Sequence, residues 1–147
     1  MAGVKSSDLV GTYRVISMEH YSEDGSIGRP FGEEPDGFIT YTPEGYMMAL
    51  LSRSDRVPFA GGDILGGTQA EQTNAFMTAS SFAGRYEIRD GQIQHHLDAA
   101  SFPNWKGTTQ PRDFELTETH LKLYPPALLM DGQMRTSRVV LARLTHW

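Results

Sequence analysis

The chain has 147 residues, 39% of them hydrophobic, which suits one domain with a real core and leaves little room for a second. The formal net charge of -5 argues against a nucleic-acid binder, which normally presents a basic face. The absence of cysteine removes disulfides, thiolate metal sites and cysteine nucleophiles. The stretch from Met1 to Asp8 has no apolar core of a secretory signal, and no apolar run approaches a membrane span. The expectation is a soluble, cytoplasmic protein that binds neither nucleic acid nor membrane.

In chain order, period-two alternation marks eight candidate strands. The first four are Leu9 to Tyr21, Asp36 to Thr42, Tyr46 to Ser52 and Phe82 to Arg89. The others are Gln92 to Ser101, Gln110 to Leu116, His120 to Tyr124 and Met134 to Leu144. Acidic-glycine pairs punctuate them at Asp24-Gly25, Glu44-Gly45, Asp90-Gly91 and Asp131-Gly132. Glycine supplies the positive φ of tight turns, so the strands should pair antiparallel. Arg53 to Gly67 reads as a long loop. Thr68-Gln69-Ala70-Glu71 is a capping-box sequence, and Gln69 to Ser80 is predicted as the only helix. Loop and helix together are expected to close one end. Thr145-His146-Trp147 either packs on the base or frays. One domain over residues 1–147 is predicted, an all-β, eight-stranded antiparallel up-and-down barrel with one short helix.

Strand parity sorts the side chains into inner and outer sets. In the first strand Tyr13, Val15, Ser17 and Glu19 share the inner face. Ile39 and Tyr41 share it in the second, and Met47, Ala49 and Leu51 in the third. Phe82, Gly84, Tyr86 and Ile88 follow, then Ile93, His95, Leu97 and Ala99. The sixth strand contributes Gln110, Arg112, Phe114 and Leu116. This inner list is apolar with a few polar exceptions, the pattern of a barrel that holds one small, largely apolar ligand or is filled by its own side chains.

The segments Leu9-Val10-Gly11-Thr12-Tyr13-Arg14-Val15, Pro35 to Tyr41 and Phe82-Ala83-Gly84-Arg85-Tyr86-Glu87 now combine with His95-His96, Phe102-Pro103-Asn104-Trp105-Lys106-Gly107-Thr108 and Gln110-Pro111-Arg112. Together they resemble the bacterial and fungal lipocalin-like domain family over nearly the whole chain, with Tyr13 where that family usually has Trp. The resemblance implies a barrel around a cavity. Some members belong to natural-product pathways, where related barrels bind polyketide- or terpene-like molecules and help them cyclise or isomerise. The fold alone does not choose between carrying a ligand and transforming one.

Four residues are candidates for chemistry. His95 is either a buried histidine satisfied by one hydrogen bond or a general acid or base. Arg112, an arginine on an apolar face, needs a partner: an internal ion pair with Glu19, or the carboxylate, enolate or polarised carbonyl of a ligand. Glu19 is either solvated at the barrel mouth or a buried proton donor. Tyr86 is either a core aromatic or a hydroxyl that orients a carbonyl. Tyr13, Ser17, Ile39 and Tyr41 are candidate ligand contacts, as are Met47, Phe76, Leu97 and Phe114. His95 and His96 point to opposite faces, and no HxH or HExxH pattern is present, so no metal is expected. No cofactor is expected either. Phe102 to Trp105 reads as a structural corner with Trp105 plugging a barrel end, with a ligand lid as the other reading.

The leading functional expectation is a cofactor-independent isomerase or cyclase of natural-product type, acting by confinement with acid/base help. A non-catalytic carrier or sensor of a hydrophobic metabolite is the second. A protein-interaction module with a filled barrel is the third. Oligomeric state is open.

Overall fold

The computed structural model describes residues 3–146. Met1, Ala2 and Trp147, which the readings of the two termini include, lie outside the described residues. The chain runs α1 (Ser6–Leu9), β1 (Gly11–Tyr21), β2 (Ile27–Gly28), β3 (Asp36–Tyr41), β4 (Tyr46–Ser52) and α2 (Gln69–Met77). It continues through β5 (Ala79–Arg89), β6 (Gln92–Ala100), a 3-10 turn (Pro103–Trp105), β7 (Thr109–Leu116), β8 (His120–Tyr124), β9 (Leu128–Met130) and β10 (Gln133–Arg143).

Eight long strands pair antiparallel in the order β1-β3-β4-β5-β6-β7-β8-β10, and β10 returns to β1, so the sheet closes on itself. Closure removes the unpaired strand edges that would otherwise invite aggregation. The two short strands, which alternation does not reveal, extend one end of this barrel. β2 pairs with the last residues of β1, and β9 with the first residues of β10. Two of the acidic-glycine pairs form two-residue hairpin turns with both φ values positive. They are Asp90-Gly91 (54° and 74°) between β5 and β6, and Asp131-Gly132 (51° and 76°) between β9 and β10. These values match the primed turns whose twist suits antiparallel hairpins.

The helices differ from expectation in two ways. Leu9 belongs to a short helix, α1, rather than to the first strand. It seals one end: Leu9 is fully buried, and the Tyr13 hydroxyl donates to its carbonyl at 2.8 Å. α2 stops at Met77, and Ala79 and Ser80 begin β5 instead. Its start is as read, with Thr68 Oγ1 accepting from the Glu71 amide and Glu71 Oε1 accepting from the Thr68 amide. None of its residues is buried, so α2 rides on the outside and does not plug the barrel.

Two bulges break the parity count. Val15 faces Leu141 while Ser17 faces Val140, leaving Ile16 unpaired on β1. Ala83 faces Ala99 while Gly84 faces Leu97, leaving Asp98 unpaired on β6. One extra residue turns every later side chain to the other face. Beyond the first bulge Met18 points inward opposite Val139, and Ser17 and Glu19 point outward. Beyond the second, Ala100 pairs with the inward Phe82 and Ala99 is exposed.

Candidate functional site

The barrel is packed in one half and hollow in the other. In the packed half Tyr13, Tyr41 and Tyr86 meet edge to face, with centroids 6.1 and 4.9 Å apart. Arg143 caps this end, its guanidinium 5.0 Å from the centre of the Tyr13 ring. Met47, Leu97, Leu121 and Leu141 fill the space between.

Toward the other end the side chains stop meeting, and a cavity of about 560 Å³ opens. Its wall is built by Met18 of β1, Ile39 of β3, Leu51 of β4 and Phe82 of β5, with Leu123 of β8 and Val139 of β10. Three separate segments form the rim. Pro30 and Phe31 follow β2, Phe102 and Trp105 belong to the 3-10 turn region, and Leu128 to Met130 are β9. Trp105 stands edge-on to both Phe82 and Phe102, at 5.7 and 5.8 Å. The Phe102 to Trp105 corner therefore contributes to the cavity rim, which the structural-corner reading left out.

The polar residues on the cavity surface are few: Ser80, Asn104, Gln110, Arg112 and Ser137. Arg112 is the one charged residue of the set. It is 4% exposed and sits on β7 two residues after Gln110, on the same inward face. Its Nη2 donates to Gln110 Oε1 at 2.9 Å, and its Nε is buried with no partner. Burial lowers its pKa to about 10, so the guanidinium stays charged at neutral pH.

The structure separates the other candidates. The Glu19 carboxylate lies on the outer wall, 3.4 Å from Arg138 Nη2, and forms no pair with Arg112. The bulge at Ile16 is the reason, and it carries Ser17 out of the interior as well. Tyr86 lies in the packed half, and its hydroxyl donates to the Thr42 carbonyl at 2.7 Å. Phe76, on the outer helix, is 51% exposed and far from any interior role. Tyr13, Met47, Leu97 and Phe114 point inward but pack the core and do not line the cavity. Ile39 and Arg112 do line it.

His95 is fully buried, with its Nε2 2.8 Å from the Tyr41 hydroxyl and its Nδ1 without a partner. It does not line the cavity; its ring lies beside Phe82, which does, with centroids 6.1 Å apart. Burial, then the positive charge of Arg112 with a smaller contribution from neighbouring His96, holds its pKa well below the usual histidine range. Burial also pushes the Tyr41 hydroxyl above its ordinary value. At neutral pH this is a pair of uncharged groups. Sequence reasoning missed Met18, whose parity the bulge reverses, and the rim, whose loops carry no periodicity.

A family profile described as a lipocalin-like domain matches residues 10–146. A 4'-hydroxy-3'-methoxypropiophenone carrier protein of Aspergillus oryzae is 30% identical over 74 residues, 45% of this chain and 67% of that protein. Among solved structures, a lipocalin-like protein from Bacteroides uniformis is 15% identical, with 93% of this chain and 99% of that one covered and a TM-score of 0.48. An uncharacterized protein from Bacteroides eggerthii is 17% identical, covers 92% and 98% of the two chains, and has a TM-score of 0.45.

Proposed function

Because the chain belongs to the lipocalin-like domain family, we propose that it binds one small, largely apolar organic molecule in the open half of its barrel and releases it unchanged. The observation that carries this reading is the cavity of about 560 Å³ with an apolar wall and few polar residues, Arg112 the one charged group among them. Such a pocket holds a ligand by burial and orients it by a few polar contacts. The Aspergillus oryzae relative, named as a carrier of an aromatic ketone, supports the same reading.

Geometry favours carriage over isomerisation or cyclisation. The reactive version needs a group that moves a proton at the ligand. Of His95, Arg112, Glu19 and Tyr86, only Arg112 lines the cavity. An arginine can polarise a carbonyl, but its high pKa makes it a poor proton donor or base. The filled-barrel reading, a protein-interaction module, is disfavoured by the cavity itself.

Titration with phenylnaphthylamine, a neutral aromatic probe whose emission rises in apolar surroundings, tests the proposal. Saturable binding of one probe per chain is expected, and Glu19→Gln on the outer wall should leave it unchanged. Absence of saturable binding both of this probe and of its sulfonated analogue, anilinonaphthalene sulfonate, would overturn the cavity reading. Native mass spectrometry followed by denaturing extraction tests the carrier part. A natural ligand recovered chemically intact after incubation supports it, and conversion of that ligand to an isomer would replace carriage with catalysis.

A further inference from the structure

Eighteen Asp and Glu residues are present in this chain, yet among the described residues none lines the cavity. The ion pairs among the described residues lie elsewhere. Arg29, Arg53, Arg85, Arg89 and Arg138 each meet a carboxylate, on loops or on the outer wall. Arg112 is more deeply buried than any of them, and no described carboxylate lies within ion-pair reach. A buried cation left without an anion costs several-fold more than an exposed one, because the interior cannot solvate it as water does.

The groups around Arg112 do not supply the missing charge. Gln110 offers a neutral amide oxygen to one N–H. Of the titratable groups that feel its charge, Tyr41 is held in its protonated form by burial, and His95 is held neutral by burial and by Arg112 itself. The Nε–H remains buried and unpartnered, and so does the hydroxyl of Ser137, a residue that lines the same cavity. A guanidinium presents its N–H groups as a planar fork that matches two oxygens of one anion.

We infer that the ligand of this cavity is an organic anion, an apolar body carrying one oxyanion that pairs with Arg112 inside the barrel. This rests on the cavity-binding reading and names the chemical class of its ligand. The apolar body occupies the wall formed by Ile39, Phe82, Leu123 and Val139. The oxyanion lies against Arg112 and Gln110, where a carboxylate, sulfonate or acidic enolate has the same requirement. Neutral molecules of equal size leave the guanidinium uncompensated, so charge becomes the basis of selection.

Two probes with the same ring system separate the possibilities: phenylnaphthylamine, which is neutral, and anilinonaphthalene sulfonate, which adds one oxyanion. The wild-type protein should bind the sulfonate roughly tenfold or more tightly than the neutral probe, the scale of a buried charge-assisted hydrogen-bonded pair. Arg112→Met should abolish that preference by weakening the sulfonate alone, and Arg112→Lys should restore part of it. Circular dichroism establishes that each variant is folded, and the wild-type ratio stands by itself if a variant is not. Equal or tighter binding of the neutral probe by the wild type would overturn the inference and leave the cavity reading intact. So would a sulfonate affinity unmoved in folded Arg112→Met. Failure of both probes to bind would overturn the cavity reading and this inference with it.

Discussion

The Tyr41 hydroxyl lies 2.8 Å from His95 Nε2, across the barrel interior and 54 residues apart in the chain. This contact joins β3 to β6 through side chains at the level where the packed half gives way to the cavity. It fixes one ring nitrogen of His95 and leaves the other, Nδ1, buried without a partner. A proton added to this imidazole would place a positive charge beside Arg112 in a region that excludes water.

Stability should therefore fall as the solution is acidified below the usual histidine pKa. His95 titrates well below 6.5 in the folded chain and near 6.5 when unfolded. Above that value neither state is protonated and the histidine has no effect on the balance. Below it the unfolded state binds the proton and the folded state resists, so unfolding becomes easier. The limiting slope is about 1.4 kcal/mol per pH unit for one such group. His20, whose pKa is also lowered, by burial and then by Arg135, adds in the same direction. Urea unfolding of the wild type and of His95→Gln between neutrality and mild acid checks this. The variant should show the shallower slope, and equal slopes would mean that His95 is not the responsible group.

Ser137 is 4% exposed, its hydroxyl has no partner, and it borders the cavity. Ser137→Leu removes an unsatisfied polar group and adds apolar surface where there is space. A gain of about 1 kcal/mol in unfolding free energy is expected. The added side chain also takes volume from the ligand, so affinity for phenylnaphthylamine should drop. Chemical denaturation together with a probe titration measures both effects. A stabilised variant with undiminished probe affinity would place the probe outside this cavity.

Gly84 lies on β5 beside the bulge on β6, paired with Leu97. A Cβ at this position would lie 1.9 Å from the His96 carbonyl oxygen, a backbone atom that cannot swing away. Gly84→Ala should force the two strands apart and cost about 3 kcal/mol or more, in the range of severe core changes. Thermal unfolding checks this, with Ala83→Gly next door as the comparison. A Gly84→Ala protein of near wild-type stability would show that the bulge can relax.

Much of the architecture was legible in the sequence because local chemistry decides it. Alternation in the eight long strands follows from the two faces of a closed sheet. Asp90-Gly91 and Asp131-Gly132 specify their turns because both positions need positive φ. Thr68 and Glu71 start α2 through their own hydrogen bonds, whatever the rest of the chain does. Arg112 could be placed inside the barrel because no bulge interrupts β7 before it.

The site was decided by the tertiary structure. An unpaired residue such as Ile16 or Asp98 shows itself only when the partner strand is in place, and it reverses the facing of every residue beyond it. That is why Met18 replaces Ser17 and Glu19 on the inner wall, and why Glu19 pairs with Arg138 and not with Arg112. The rim is assembled from Phe31, Trp105 and Leu128 to Met130, segments far apart in the chain that meet only once β10 closes on β1. Periodicity describes which way a strand faces. It does not contain the long-range pairing that sets where the packed core ends and the cavity begins.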